Sequence, residues 1–148
     1  MILEPTADKA AELRARLLKG GVQTVEWATR GVGWIAAWQN AKPDLTLVSL
    51  ALPERDGFYC LRKIRELIPD HPVLFIHDYS GFLASEIEWK ALAGGAQGVL
   101  QRPCAESRFL ASVARMVEQI QRQKRLKSIR VNPNAKQLDA IKSALRKN

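Results

Sequence analysis

The chain has 148 residues, about the size of one domain, and a net charge of +8. Its apolar runs are shorter than the roughly 20 residues that a membrane helix needs. Met1 to Lys9 lacks the basic start of a secretory signal, so we expect a cytoplasmic protein. Cys60 and Cys104 lie in no disulfide or metal-ligand spacing, and neither a metal nor a cofactor is expected.

The positive charge is concentrated near the C-terminal end. Residues 122–147 contain nine Lys and Arg and a single Asp, which accounts for the whole net charge. The preceding part is balanced. This distribution predicts a domain over residues 1–121 and a basic helical extension over residues 122–148.

Helix and strand patterns alternate along the first part of the chain. Ala7 to Lys19 has apolar residues at helical spacing, and two glycines follow, which predicts a helix and its end. Val22 to Trp27 predicts a short strand that leads into Gly31, and a second helix follows and ends at Asn40. Leu45 to Leu50 is an apolar run close to prolines on both sides, which predicts a strand buried on both faces.

The alternation continues through the next part of the chain. The predicted elements are a helix over Phe58 to Leu67, a strand over Val73 to Ile76, a helix over Phe82 to Ala93, a strand over Gly98 to Leu100 and a helix from Glu106 onward. Five such units predict a flavodoxin-like, doubly wound α/β fold. Its five-stranded parallel sheet has the order 2-1-3-4-5, and ligand chemistry lies at the carboxyl ends of the strands.

The C-terminal extension begins inside the last of these helices. The apolar face of that helix thins out after Ile120, while the helical pattern continues to Lys127. Asn132-Pro133-Asn134 is expected to break the helix, and Ala135 to Lys147 predicts a short amphipathic helix. The extension is interpreted as a solvated helix end, a dimerisation strut or a basic arm. It is too short for a separate DNA-binding domain.

One segment carries a specific family resemblance. Pro43 to Gly57 reads PDLTLVSLALPERDG and resembles the third strand and following loop of response-regulator receiver domains. The resemblance extends through Pro72 to Ile76, Ala93 to Gly98 and Gln101-Arg102-Pro103, and covers the chain to about Ile120. It implies the same fold and a place in two-component signalling, of the phosphorelay type.

The resemblance also implies where a phosphorylation site would lie. Ser49 aligns with the phosphoacceptor Asp of receivers, and Glu4 and Pro5 align with the pair of acids that hold magnesium. A hydroxyl replaces the acceptor carboxylate, and Pro5 has no ligand atom for a cation that prefers oxygen. We therefore expect a pseudo-receiver that forms no acyl phosphate and binds no magnesium.

The remaining switch positions are also changed. His77 aligns with the hydroxyl residue of the fourth strand, Val99 with the aromatic residue of the fifth strand, and Arg102 with the Lys that neutralises the phosphoryl group. Arg102 keeps a cation in a planar fork. We expect it to pair with Glu4 and to hydrogen-bond Ser49, so that an internal ion pair replaces metal and phosphate.

Simpler interpretations stand beside these. Ser49 can be interpreted as a small residue at a site that is no longer used, and His77 as a half-buried polar residue at the end of a strand. Glu4 fits a cap of the first helix, which is compatible with an ion pair. Trp34 and Trp38, four residues apart, fit core packing better than an exposed patch.

Three functional hypotheses follow: a phosphorylation-independent protein-binding receiver, a receiver that still switches through an unusual acceptor, and a basic nucleic-acid-binding accessory protein. The first is preferred. The sequence contains no recognisable catalytic constellation, so we do not expect an enzyme. In receivers the fourth helix, fifth strand and fifth helix form a docking face. We predict contacts to a protein partner or a second copy through the short C-terminal helix and through four residues of this face, Phe82, Trp89, Val99 and Phe109.

Overall fold

The computed structural model describes residues 1–28, 33–50, 56–128 and 135–146. Within these residues the strands, numbered in chain order, are β1 (Ile2–Leu3), β2 (Trp27–Ala28), β3 (Thr46–Ser49), β4 (Val73–His77) and β5 (Gly98–Gln101). The helices are α1 (Ala7–Lys19), α2 (Trp34–Ala41), α3 (Asp56–Leu67), α4 (Gly81–Ala93), α5 (Glu106–Ser128) and α6 (Ala135–Arg146).

The strands form one parallel sheet in the order β2-β1-β3-β4-β5, which confirms the predicted flavodoxin-like α/β class. β3 and β4 form the centre, where Thr46 pairs with Val73 and Ser49 with Ile76. Because neighbouring parallel strands point the same way, their carboxyl ends meet at one edge of the sheet.

The two faces of the sheet carry separate apolar clusters. Along β4, Val73 and Phe75 belong to the cluster under α2, α3 and α4, while Leu74 and Ile76 belong to the cluster under α1 and α5. Successive side chains in a strand point to opposite faces. A continuous apolar run is therefore needed in β4, because helices cover both sides.

The predicted second strand is the element that differs most. It was expected over Val22 to Trp27, whereas β2 is Trp27–Ala28. Among the described residues, Ile2 and Leu3 of β1 pair with Trp27 and Ala28 of β2. Val22 and Val25 instead pack against the apolar cluster under α1.

Two sequence predictions concern residues that the structure does not describe. Gly31 and the predicted helix break at Asn132-Pro133-Asn134 lie outside the described residues.

α5 continues without interruption past residue 121, so the predicted boundary there marks a change of charge rather than an end of the helix. No helix in the described ranges is long and apolar enough to cross a membrane.

α2 contributes two buried indoles to the core. Trp34 and Trp38 are both buried, which confirms the core interpretation. The indole nitrogen of Trp38 donates to Thr46 Oγ1 at 2.9 Å, and this hydroxyl lies 2.8 Å from Nε2 of His71. The network satisfies the polar atoms that the amino ends of β3 and β4 bring into the core.

His71 is held neutral in this network. Burial is the main cause that lowers its pKa, and the nearby positive charge of Arg65 adds to it, so the pKa falls to about 4. The Thr46 hydroxyl accepts from the indole and has its own hydrogen left to donate to a neutral ring. Protonation of His71 therefore opposes folding.

This predicts an acid-sensitive fold. The unfolded chain binds a proton at His71 below about pH 6.5, whereas the folded chain does so only near pH 4, so stability falls as the pH drops through this window. When the pH drops from 7 to 5, we expect the free energy of unfolding, measured with urea, to fall by about 2 kcal/mol because of His71.

The matched variant is His71→Gln, which should reduce this loss. Some of the loss should persist, because burial also lowers the pKa of His77. An unchanged pH dependence in His71→Gln would contradict the assignment, and an NMR titration of the His71 ring measures its pKa directly.

Candidate functional site

Polar side chains from four strands meet at the carboxyl edge of the sheet. Glu4 follows β1, Ser49 is the last residue of β3, Asp78 follows β4 and Arg102 follows β5. Strand pairing places β1 beside β3, β3 beside β4 and β4 beside β5. The four side chains are therefore brought together from residues up to 98 positions apart in the chain.

The Arg102 guanidinium is the centre of this group. Its Nη2 lies 3.2 Å from Glu4 Oε2 and 3.0 Å from Ser49 Oγ. The same nitrogen lies 3.0 Å from Asp78 Oδ2, and Nε donates to Asp78 Oδ1 at 2.8 Å. The structure confirms the expected contacts with Glu4 and Ser49, but the two-point contact is with Asp78.

Asp78 is the member of the network that the sequence analysis missed. Its Oδ2 also accepts from Lys9 Nζ at 3.0 Å, which links β4 to α1. Partial burial by itself raises the pKa of Asp78, but the hydrogen bond from Lys9 and the charge of Arg102 outweigh it, so the pKa is lowered. The sequence does contain a signal for this residue, because Asp78 is an acid directly after a buried strand, at the edge where the parallel strands end.

Glu4 is buried, and each of its oxygens has a partner. Oε2 meets Arg102, Oε1 accepts the backbone N–H of Thr6 at 3.2 Å, and the backbone carbonyl accepts the indole N–H of Trp27 at 2.8 Å. Thr6 is the residue immediately before α1. Glu4 thus serves the start of the helix and the ion pair at once, as the two compatible interpretations allowed.

His77 and Val99 occupy the positions expected from the family alignment, at the end of β4 and within β5. His77 is fully buried rather than half-buried, and its Nδ1 accepts the backbone N–H of Tyr79 at 3.1 Å. Burial lowers the pKa of His77. The charge of Arg102 also lowers it, whereas Asp78 and Glu88 raise it by less than burial lowers it. Val99 is partly buried and packs against the apolar cluster under α2, α3 and α4.

The residues at this edge do not fit a magnesium ion. Magnesium requires a near-octahedral shell of oxygens. Both carboxylates, Glu4 and Asp78, are occupied by Arg102, and Pro5 is exposed with no ligand atom in its side chain. In the described part of the chain no three His, Cys, Asp or Glu side chains are grouped to hold a metal.

The predicted docking residues divide into two groups. Phe82 and Trp89 on α4 are 81% and 72% exposed. Phe109 is buried in the cluster under α1 and α5, where the Arg16 guanidinium lies 5.8 Å from its ring centre. The prediction that Phe109 contacts a partner is wrong, because its helix turns this ring toward the sheet.

Comparison with known proteins identifies the family. The model of the response regulator receiver domain matches residues 2–114. The chain belongs to this receiver family. Such domains are parts of two-component response regulators. Arg102 and the side chains that it contacts lie at the edge of the sheet where the receiver resemblance places the phosphorylation site.

The receiver is similar to parts of longer regulators. It is 30% identical over 112 residues to the luminescence regulatory protein LuxO of Vibrio campbellii, a match that covers 76% of this chain and 24% of LuxO. It is 30% identical over 113 residues to the transcriptional regulatory protein YxdJ of Bacillus subtilis, covering 76% of this chain and 47% of YxdJ. The chain thus spans about a quarter to a half of these relatives.

Solved structures support the same fold. The crystal structure of the signal receiver domain of a putative LuxO repressor protein from Vibrio parahaemolyticus superposes with a TM-score of 0.71 at 19% identity. The superposition covers 83% of this chain and 92% of that one. The likeness concerns the fold.

The ion network predicts a strong dependence of stability on Arg102. Arg102→Met should lower the free energy of unfolding by about 3–5 kcal/mol, because it leaves the buried Glu4 carboxylate without its cation. Urea unfolding at pH 7 measures the change. Glu4→Gln in the same chain should recover part of the loss, since an amide carries no charge.

The matched control is Arg14→Met on the exposed face of α1, which should change stability by less than about 0.5 kcal/mol. A cost for Arg102→Met equal to that of the control would contradict the proposed energetic role of the network. Strict additivity of Arg102→Met and Glu4→Gln would also contradict it, because coupled partners are non-additive.

Proposed function

We propose that this receiver acts without phosphorylation, as a protein-binding regulatory module of a two-component system. The observation that carries the proposal is the guanidinium of Arg102, which contacts Glu4 and Ser49 where a phosphorylated receiver would hold metal and phosphoryl group. In this proposal the internal ion pair keeps the edge of the sheet in one state, and regulation comes from binding at the surface.

The chemistry at Ser49 supports this proposal. An acyl phosphate forms on a carboxylate, and Ser49 offers a buried hydroxyl. A serine nucleophile needs a base that removes its proton. Arg102 donates to Ser49 Oγ and has no acceptor atom, so this partner cannot serve as that base.

The electrostatics support it as well. Arg102 and Glu4 are 14% and 2% exposed in their side chains, so both charges have lost most of their water. Opening the pair to admit a metal or a phosphoryl group would first break a buried contact between opposite charges, with little water available to replace it. A phosphodonor therefore has to overcome an interaction that is already complete.

The proposal predicts that the protein does not react with small phosphodonors. Incubation with Mg²⁺ and acetyl phosphate should give no phosphoryl adduct by intact-mass spectrometry. Mg²⁺ with beryllofluoride should leave the amide NMR signals of Glu4, Ser49, His77 and Arg102 unshifted. A receiver that retains the acceptor Asp serves as the positive control.

An adduct on Ser49 or His77, or a joint shift of these four signals, would favour the competing function. The domain would then be a receiver that switches through an unusual acceptor. Adduct mapping by peptide fragmentation separates these residues from nonspecific acetylation of lysines.

The partner surface that we propose is on α4. Phe82 and Trp89 lie seven residues apart, about two helical turns, and so share one face of the helix. Leu83 and Leu92 add exposed apolar area on the same helix. Large aromatic side chains grouped at a surface are typical of protein contact sites.

This surface predicts a discrete crosslink. A photoreactive amino acid at Phe82 or Trp89 should give a defined adduct in the source cells, whereas the same group at Arg14 on α1 should not. Excess unmodified domain should suppress the adduct by competition, and Phe82→Ala/Trp89→Ala should not. Equal adducts from the α1 position, or equal competition by the double variant, would contradict the assignment.

A further inference from the structure

The outer face of α5 carries a regular line of cations. Arg108, Arg115 and Arg122 recur every seven residues, so they lie on one side of the helix and are about 10 Å apart along its axis. A different side of the helix carries Phe109 and Val113, which are buried against the sheet. Arg108 and Arg115 are exposed and Arg122 is half-buried, so solvent reaches all three arginines, here called the arginine row.

The charges of the arginine row are largely uncompensated. Among the described residues, Arg108 and Arg115 make no ion pair within 4.0 Å, and both are exposed. Arg122 lies 3.9 Å from Glu118, an exposed acid one turn earlier on the same helix. An exposed pair of this length contributes little and exchanges readily with another anion.

Further cations lie at the end of α5 and on α6. Lys124 and Lys127 are on another side of α5 from the row and pair with Asp44 and Asp70 at 2.8 and 3.5 Å, but all four side chains are more than half exposed. On α6, Lys142 and Arg146 are four residues apart and both exposed. Residues 122–147 supply the whole net charge of +8, so the cations are concentrated at one end of an otherwise balanced chain.

The residue types favour one class of polyanion. Guanidinium groups bind phosphate oxygens at two points, so a row of three arginines about 20 Å long suits a ligand that carries several phosphates. A helix that lies on lipid buries its apolar face in the interface, and the apolar face of α5, with Phe109, Val113 and Met116, is already buried against the sheet. We propose that the arginine row and the adjoining cations of α5 and α6 bind the phosphate backbone of nucleic acid, without sequence preference.

The test is fluorescence anisotropy of two labelled duplex DNAs of unrelated sequence with the full chain. Both should bind equally. If about four phosphates are neutralised, binding should weaken about 100-fold when salt rises from about 50 to about 200 mM. Arg108→Gln/Arg115→Gln/Arg122→Gln should bind at least about 10-fold more weakly at low salt and should lower the salt slope by about 3.

The matched control removes the same charge elsewhere, with Arg14→Gln/Arg62→Gln/Lys90→Gln on exposed positions of α1, α3 and α4. It should bind nearly as tightly as the unmodified chain, and circular dichroism checks that both triple variants fold. Absence of duplex binding at about 50 mM salt overturns the proposal, as does an equal loss in the control triple. Binding to vesicles with anionic lipid but not to DNA also overturns it. These outcomes are independent of the phosphodonor experiment, which concerns the contacts of Arg102 with Glu4 and Ser49.

Discussion

The guanidinium of Arg102 is the one charge that ties the carboxyl edge of the sheet together. It reaches Glu4 after β1, Ser49 at the end of β3 and Asp78 after β4, and Lys9 extends the network to α1. A buried cation is costly to desolvate, and its partners are what make its burial tolerable. The arrangement of four strands and one helix at this edge is therefore coupled through a single side chain.

This coupling explains why the substitutions at the site form a consistent set. A lysine at residue 102 would supply a compact point charge, whereas the planar guanidinium reaches three acceptors from one nitrogen and a fourth from Nε. Ser49 is small enough to lie beneath it and supplies an acceptor without a second buried negative charge. Glu4 supplies the negative charge that remains.

Three other groups of side chains are separate from this ion network. The aromatic side chains of α4 are exposed on one side of the domain, and the arginine row runs along the outer face of α5. At the opposite edge of the sheet, the network of Trp38, Thr46 and His71 satisfies buried polar atoms without a net charge. The internal ion network is thus formed by side chains other than those at which binding is proposed.

The sequence by itself determined the order of the elements through local patterns, and its resemblance to receivers indicated most of the site. Alternating helical and strand periods, with Gly or Pro near several element ends, specified the order of the elements, and the motif around Ser49 specified the register of the family alignment. That alignment was enough to bring Glu4, Ser49 and Arg102 together. The tertiary structure decided what depends on direction and distance: Asp78 is the two-point partner of Arg102, Phe109 lies in the core, and β1 pairs with Trp27 and Ala28 rather than with the segment that begins at Val22. A sequence pattern gives the face of an element but not which neighbour is closest, since that is set by how strands and helices pack against each other.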